Sequence, residues 1–273
     1  MEGWVLWLLG YPVQALRRSH DALALAQEQA HPFTLALTLG TLAILRHMRR
    51  EEAATLEHAQ AGVVLSTEYG FPSLRAVGTV WHGWGLARGG QVAAGMAQMR
   101  EGLAALRATG AELLRPYLLA MLADACGRGG QIEAGLCALE EALEAAENHT
   151  ERFYAAELHR LKGELVLRQW VEVGANPAPR AMQQDYTAGG GTTGRVPLQM
   201  EAEACFQSAR DIAQRQGAKS LELRAALSLS RLWQQQGKRA AARLLLGEVY
   251  GWFTEGFETA DLQEARVLLE ELA

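Results

Sequence analysis

The sequence predicts an all-α protein made of about six stacked helix pairs, and three observations carry that prediction. The first is a pattern of a small residue, a larger apolar one four later and a second small one three after that. In GQIEAGLCALEEALEAAEN, residues 130–148, it is Gly135, Leu139 and Ala142, five residues behind the turn glycine Gly130. The second is its recurrence, as Ala15/Ser19/Ala22, Ala54/His58/Ala61, Gly95/Met99/Gly102, Ala202/Phe206/Ala209 and, more loosely, Ala242/Leu246/Val249. Successive first positions lie 39, 41, 40, 67 and 40 residues apart, so the period is about 40 with a single insertion of about 27. The third is a further small residue (Gly83, Ala123 or Ser230) twelve positions ahead of the one that opens the pattern. Small residues at that offset let the two helices of a pair approach closely. Self-similarity at a fixed period marks a repeat array, each unit burying its apolar face against the next.

The elements follow in order. Met1 to Leu9 is apolar and helix-like but short. Gly10-Tyr11-Pro12 turns the chain, and Val13 to Gln29 forms the second helix of the first unit. That short first helix leaves an apolar face without its usual neighbour, which predicts self-association through the N-terminal helix as a homodimer, or an upstream domain. The second unit runs from Pro32 to Gly70. Leu35, Leu39, Leu42 and Leu45 give its first helix an apolar stripe, and Glu51 to Tyr69 is the partner. Proline suits the first turn, where its missing N–H would be unpaired anyway, and Gly70 suits the C-cap. The third unit, Pro72 to Gly110, carries Trp81 and Trp84 and turns at Gly89-Gly90; the fourth, Ala111 to Asn148, turns at Gly129-Gly130. The fifth begins with Glu151 to about Gln169 and resumes at Leu198 to Gln216. Between them, 170–197 holds three of the seven prolines and Gly189-Gly190-Gly191, and reads as a flexible insertion. The sixth is Ala218 to about Phe253, turning at Gly237. In 258–273, Leu262, Ala265, Leu268, Leu269 and Leu272 form a capping helix whose Glu264, Glu270 and Glu271 are expected to face solvent.

Bulk composition narrows the function classes. A chain of 273 residues, 49% hydrophobic and 21% charged, has the make-up of a folded soluble protein. Its net charge of −5 gives no basis for nucleic-acid or anionic-membrane binding. The apolar run Trp4 to Leu9 is too short to span a bilayer. Cys126, Cys137 and Cys205 form no CxxC pair and read as reduced core cysteines of a cytoplasmic protein.

No local motif supplies catalysis or a cofactor site. Gly189 to Gly194 is glycine-rich, but a phosphate loop also needs a preceding strand and a lysine, which are missing. The glycines at 89–90 and 129–130 fall at the periodic turn and read as helix caps. None of the seven histidines pairs with another at i, i+4, so the helical zinc spacing is lacking. Asp124 and Cys126 are close in sequence with no histidine between them, so a thiolate has no base. The charged residues of the first helices are more informative, because those helices line the concave face of a paired-helix array. Arg75, His82, Arg88, Glu112, Arg115, Arg128, Glu157, Arg160 and Arg231 are the candidates for a mixed-charge binding groove. Ordinary ion pairing between units is the competing reading, worth little per pair. Trp81, Trp84 and Trp233 sit at core spacing, and Trp252 and Phe253 sit where the cap packs.

With its glycine turn, the repeated pattern resembles the tetratricopeptide repeat, whose usual period is 34 residues. Four stretches are similar, more specifically, to the C-terminal repeat region of bacterial multidomain signalling proteins. They are 8–12 (LLGYP), 110–117 (GAELLRPY), 156–165 (AELHRLKGEL) and 249–257 (VYGWFTEGF). In that family an adenylate or guanylate cyclase domain and an AAA/STAND-type ATPase domain precede the repeats. The resemblance implies a right-handed superhelical solenoid of about six such pairs. It also implies a non-catalytic scaffold that takes a protein or peptide partner along its concave groove, or an effector-sensing regulatory domain for the ATPase or cyclase. No catalytic residue transfers, because neither upstream domain's motifs occur in this chain.

Overall fold

The computed structural model describes residues 2–148, 152–175 and 195–273, and among these every regular element is a helix. The helices pair as α1 (Glu2–Leu8) with α2 (Pro12–Gln29), α3 (Pro32–Met48) with α4 (Glu52–Glu68), and α5 (Pro72–Arg88) with α6 (Val92–Ala108). Next come α7 (Arg115–Arg128) with α8 (Ile132–Asn148), α9 (Ala155–Ala175) with α10 (Arg195–Gln216), and α11 (Lys219–Gln235) with α12 (Arg239–Tyr250). A single helix, α13 (Ala260–Glu271), ends the chain. Of the expected insertion 170–197, the two ends are helical, since α9 runs on to Ala175 and α10 starts at Arg195; 176–194 lies outside the described residues.

The turns keep a stricter register than the apolar pattern does. Within pairs, left-handed residues stand at Gly10, Arg50, Gly90 and Gly130, and between pairs at Ala30, Gly70 and Gly110, each 40 from the last. Glycine adopts this conformation without penalty, while other residues pay on the order of 1–2 kcal/mol. Arg50, with φ +64°, is therefore the exception in its series.

That register corrects the second unit. Its buried small stripe is Thr55, Ala59 and Gly62 (0%, 6% exposed and buried, respectively), one residue on from Ala54/His58/Ala61. A Cβ on Gly62 would meet α3 at the Ala36 carbonyl and Leu39, which shows the face turned inward. Thr55 serves as a small residue because its hydroxyl bonds back to the Glu51 carbonyl at 2.8 Å. The opening positions Ala15, Thr55, Gly95 and Gly135 then also repeat at intervals of 40. In the first unit Ala15 is buried but Ala22 is exposed.

The twelve-residue offset marks the helix crossings. A Cβ on Gly83 would lie 2.6 Å from the Gly95 carbonyl oxygen, and one on Gly95 would lie 2.4 Å from that of Gly83. Ser230 reaches Ala242 the same way, its hydroxyl donating to the carbonyl at 3.2 Å.

Curvature follows from which helices touch. Each first helix packs on the next, α1 on α3, α3 on α5, α5 on α7, α7 on α9 and α9 on α11, whereas no two second helices touch among the described residues. The first helices form the inner wall, and the second helices splay outside.

The curvature is tight enough for the ends to meet. Helix α1 packs on α11, and Trp7 is 2% exposed. The Ser220 hydroxyl donates to the Trp7 carbonyl, and the Arg224 guanidinium lies 4.9 Å from the Trp7 ring centroid. Gly10 abuts Trp252 and Phe253, and Tyr11 packs on Trp252 at 5.5 Å. The Glu255 carboxylate accepts the backbone N–H groups of Val13 and Gln14 at 3.0 and 3.1 Å, filling the orphan donors at the start of α2. The N-terminal helix is therefore not the free end expected of it, and Trp252 and Phe253 serve the closure as well as the cap.

Helix α13 packs on α11 and α12, as a cap should. Glu270 and Glu271 are exposed, but Glu264 turns inward to bond Arg50 at 2.6 Å and Arg231 at 2.8 Å. Cys126 and Cys205 are buried free thiols, while Cys137 is exposed, contrary to its core assignment.

Candidate functional site

The inner wall borders a half-open cavity of about 410 Å³, lined from α3, α5, α7, α9, α11 and α13. Its charges are nearly balanced. Six arginines (50, 88, 128, 160, 224 and 231) face five carboxylates (Glu52, Asp124, Glu157, Asp261 and Glu264), in a chain of net charge −5.

The floor is a buried ion network. Arg160 holds Glu157 in a bidentate pair at 2.8 and 2.9 Å and reaches Glu164 at 3.1 Å. Arg224 reaches Glu157 at 3.4 Å and Asp261 at 2.8 Å, and it also donates to the Met48 carbonyl. Burial by itself would raise the Glu157 carboxyl. The charges of Arg160 and Arg224, with the Arg160 hydrogen bond, outweigh burial and hold it at about 2, against an ordinary 4.5. The same carboxylates hold both guanidinium protons more firmly than usual against burial.

An aromatic corner flanks the network. His47 meets Trp81, Trp84 and Tyr117 edge-on at 5.3, 5.1 and 5.5 Å, and its Nδ1 lies 2.6 Å from the Tyr117 hydroxyl. Burial, then the Arg224 charge, lowers its pKa from 6.5 to about 4, so it is neutral at pH 7. Around the rim, Arg128 pairs with Asp124 at 2.8 Å, Arg88 pairs with Glu52, and Arg50 reaches Asp261 at 3.3 Å.

Of the nine candidate groove residues, Arg88, Arg128, Glu157, Arg160 and Arg231 line this cavity. The other four do not. Arg75 is exposed on α5, and His82 turns from the cavity to bond Gln98 on α6 at 2.7 Å. Glu112 precedes α7, which starts only at Arg115 because Pro116 sets its first turn, and the two pair at 3.0 Å. Arg115 then reaches outward to Glu141 on α8 at 2.5 Å.

Residues absent from the candidate set are His47, Arg50, Tyr154, Arg224, Asp261 and Glu264. Register could have revealed one of them. First-helix positions of units five and six are offset by 67, so Glu157 maps to Arg224, and the two meet. Nothing local marks Asp261, which reaches the cavity through the packing of α13 on α11 and its bond to Arg224 at 2.8 Å.

The cavity presents guanidinium groups and, beside them, the His47–Tyr117 pair and the Ser228 hydroxyl, which donates to Glu164 at 2.7 Å. Asp124 is held by Arg128, and burial pushes the Cys126 thiol up, with Arg100 as its polar neighbour at 3.9 Å. Among the described residues no group of three His, Cys, Asp or Glu side chains is placed to hold a metal. Among the described residues no helix is long and apolar enough to cross a membrane. No protein-family model matches the chain, and no curated protein is similar to it in sequence.

Proposed function

We propose that the chain is a TPR-like, non-catalytic recognition module whose inner wall takes a small effector. On this reading the helix pairs belong to the right-handed superhelix of such repeats, with α1 packed back on α11. The carrying observation is the half-open, arginine-rich cavity of about 410 Å³. Small-molecule sites span roughly 300–1,000 Å³. The cavity's size thus fits the effector-sensing reading. In the setting that the resemblance implies, the module serves a cytoplasmic bacterial ATPase or cyclase and reports effector binding to it.

The experiment is a thermal-shift screen with nucleotides and metabolites. A ligand at a hundred times its Kd adds about 2.7 kcal/mol, several degrees for a chain of this size. The expected hit loses its shift in Arg231→Gln. A screen without hits, together with a bound peptide spanning the inner wall, refutes the proposal.

An outer aromatic cluster favours a second reading, a scaffold for a protein partner. Phe33 and Tyr69 are 43% and 50% exposed and both pack on Phe71, at 5.2 and 6.2 Å. Exposed aromatic groups of this kind mark interaction surfaces. If this reading holds, Phe33→Asp with Tyr69→Asp abolishes partner co-purification and leaves the effector shift intact.

A further inference from the structure

We propose that Arg50, Arg88 and Arg128 form a receptor for a small ligand carrying two or more negative charges on oxygen, of the pyrophosphate or polycarboxylate type. This rests on the effector-cavity reading and specifies the effector's chemistry.

Three observations meet at these side chains. Arg88 and Arg128 occupy the same position in successive units, 40 residues apart, so the array stacks one guanidinium beside the next in a single cavity. Arg50 joins them from a backbone conformation taken by glycine at the equivalent turns Gly10, Gly90, Gly130 and Gly237. A residue held there at a cost, with its guanidinium in the cavity, points to a demand for the side chain. The third observation is spare donor capacity. A guanidinium carries five N–H donors. Among the described residues Arg50 is bonded through Nη1 alone and Arg128 through Nε alone. Their side chains are 46% and 43% exposed, so the remaining donors are open to a ligand.

The electrostatics agree with this geometry. Burial first, then the like charge of Arg128, work against the Arg88 charge; Asp124 offsets them, Arg50 adds to them, and Glu52 pairs with Arg88 directly. A singly charged anion would satisfy one guanidinium, whereas an anion with several charged oxygens reaches the open donors of two or three at once, beyond the carboxylates that each already pairs with. Bidentate guanidinium pairing suits phosphoryl and carboxylate oxygens alike.

The test is isothermal titration of the full chain with inorganic pyrophosphate, citrate and acetate. The variants are Arg50→Gly and Arg128→Gln, with Arg115→Gln, outside the cavity, as a control. Arg50→Gly installs the residue other units carry at that turn, so the fold is kept while the guanidinium is lost. Expected is one equivalent of pyrophosphate or citrate bound, acetate not. Each cavity variant should weaken binding about tenfold or more, and the control should leave it unchanged. Pyrophosphate without citrate assigns a phosphoryl ligand, and the converse a polycarboxylate. Binding that survives both cavity variants overturns the receptor. If neither anion binds while a neutral or cationic compound is a hit in the thermal screen, the anion class falls and the cavity reading stands. If no compound of any charge binds, both fall.

Discussion

Replacing Arg224 with methionine should unlatch the ring. The side chain ties four parts of the array together: the Trp7 ring in the first unit, the Met48 carbonyl in the second, Glu157 in the fifth and Asp261 on the cap. Breaking one partner out of a buried ion network costs roughly 3–5 kcal/mol. Here Glu157 keeps its bidentate Arg160, and Asp261 keeps only the 3.3 Å contact to the half-exposed Arg50. The loss therefore falls on Asp261 and belongs near the lower bound, about 3 kcal/mol. For a chain of this size that is a drop of roughly 6–12 °C in Tm. Because repeat arrays also open locally, amide hydrogen exchange is the sharper assay. Exchange should accelerate in α1 and α13 and stay near wild type in α7 and α8. A cycle with Asp261→Leu should show coupling of about 1 kcal/mol or more. A variant with unchanged Tm and unchanged protection in α1 and α13 would show that Arg224 does not hold the ends together.

Three more outcomes follow from the same geometry. Gly95→Ala, normally a mild gain within a helix, should cost about 1–3 kcal/mol, because its Cβ would lie 2.4 Å from the Gly83 carbonyl; urea denaturation reads the sign. Glu255→Ala should cost about 1 kcal/mol and raise exchange at the Val13 and Gln14 amides, which lose their acceptor. Stability should fall in two steps on acidification. His47, lowered from 6.5 to about 4, resists protonation in the fold, so its contribution is full above about pH 6.5 and is lost on the way down to 4. Glu157, held at about 2 against 4.5, contributes fully above about pH 4.5 and loses that contribution as the pH falls towards 2. Tm against pH should show both, and His47→Gln should remove the upper step alone.

The all-α class, the helix pairs, their turns and the forty-residue period were all legible in the sequence, because each depends on a few neighbouring residues. Glycine at a left-handed turn, proline in a first turn and small residues twelve apart act locally, so their spacing alone marks a pair. Local signals ran short where two registers competed. Ala54/Ala61 and Thr55/Gly62 are both small sets one residue apart, and contact with α3 chooses the second. The site was half legible. Position within the period identified Arg88, Arg128, Glu157, Arg160 and Arg231, but it could not tell that Arg75, His82, Glu112 and Arg115 point elsewhere. Which side of a first helix faces inward depends on curvature summed over every unit, a property no single segment carries. The tertiary structure alone decided that the sum brings Trp7, Met48, Arg224 and Asp261 together and curls a row of helix pairs around a shared cavity.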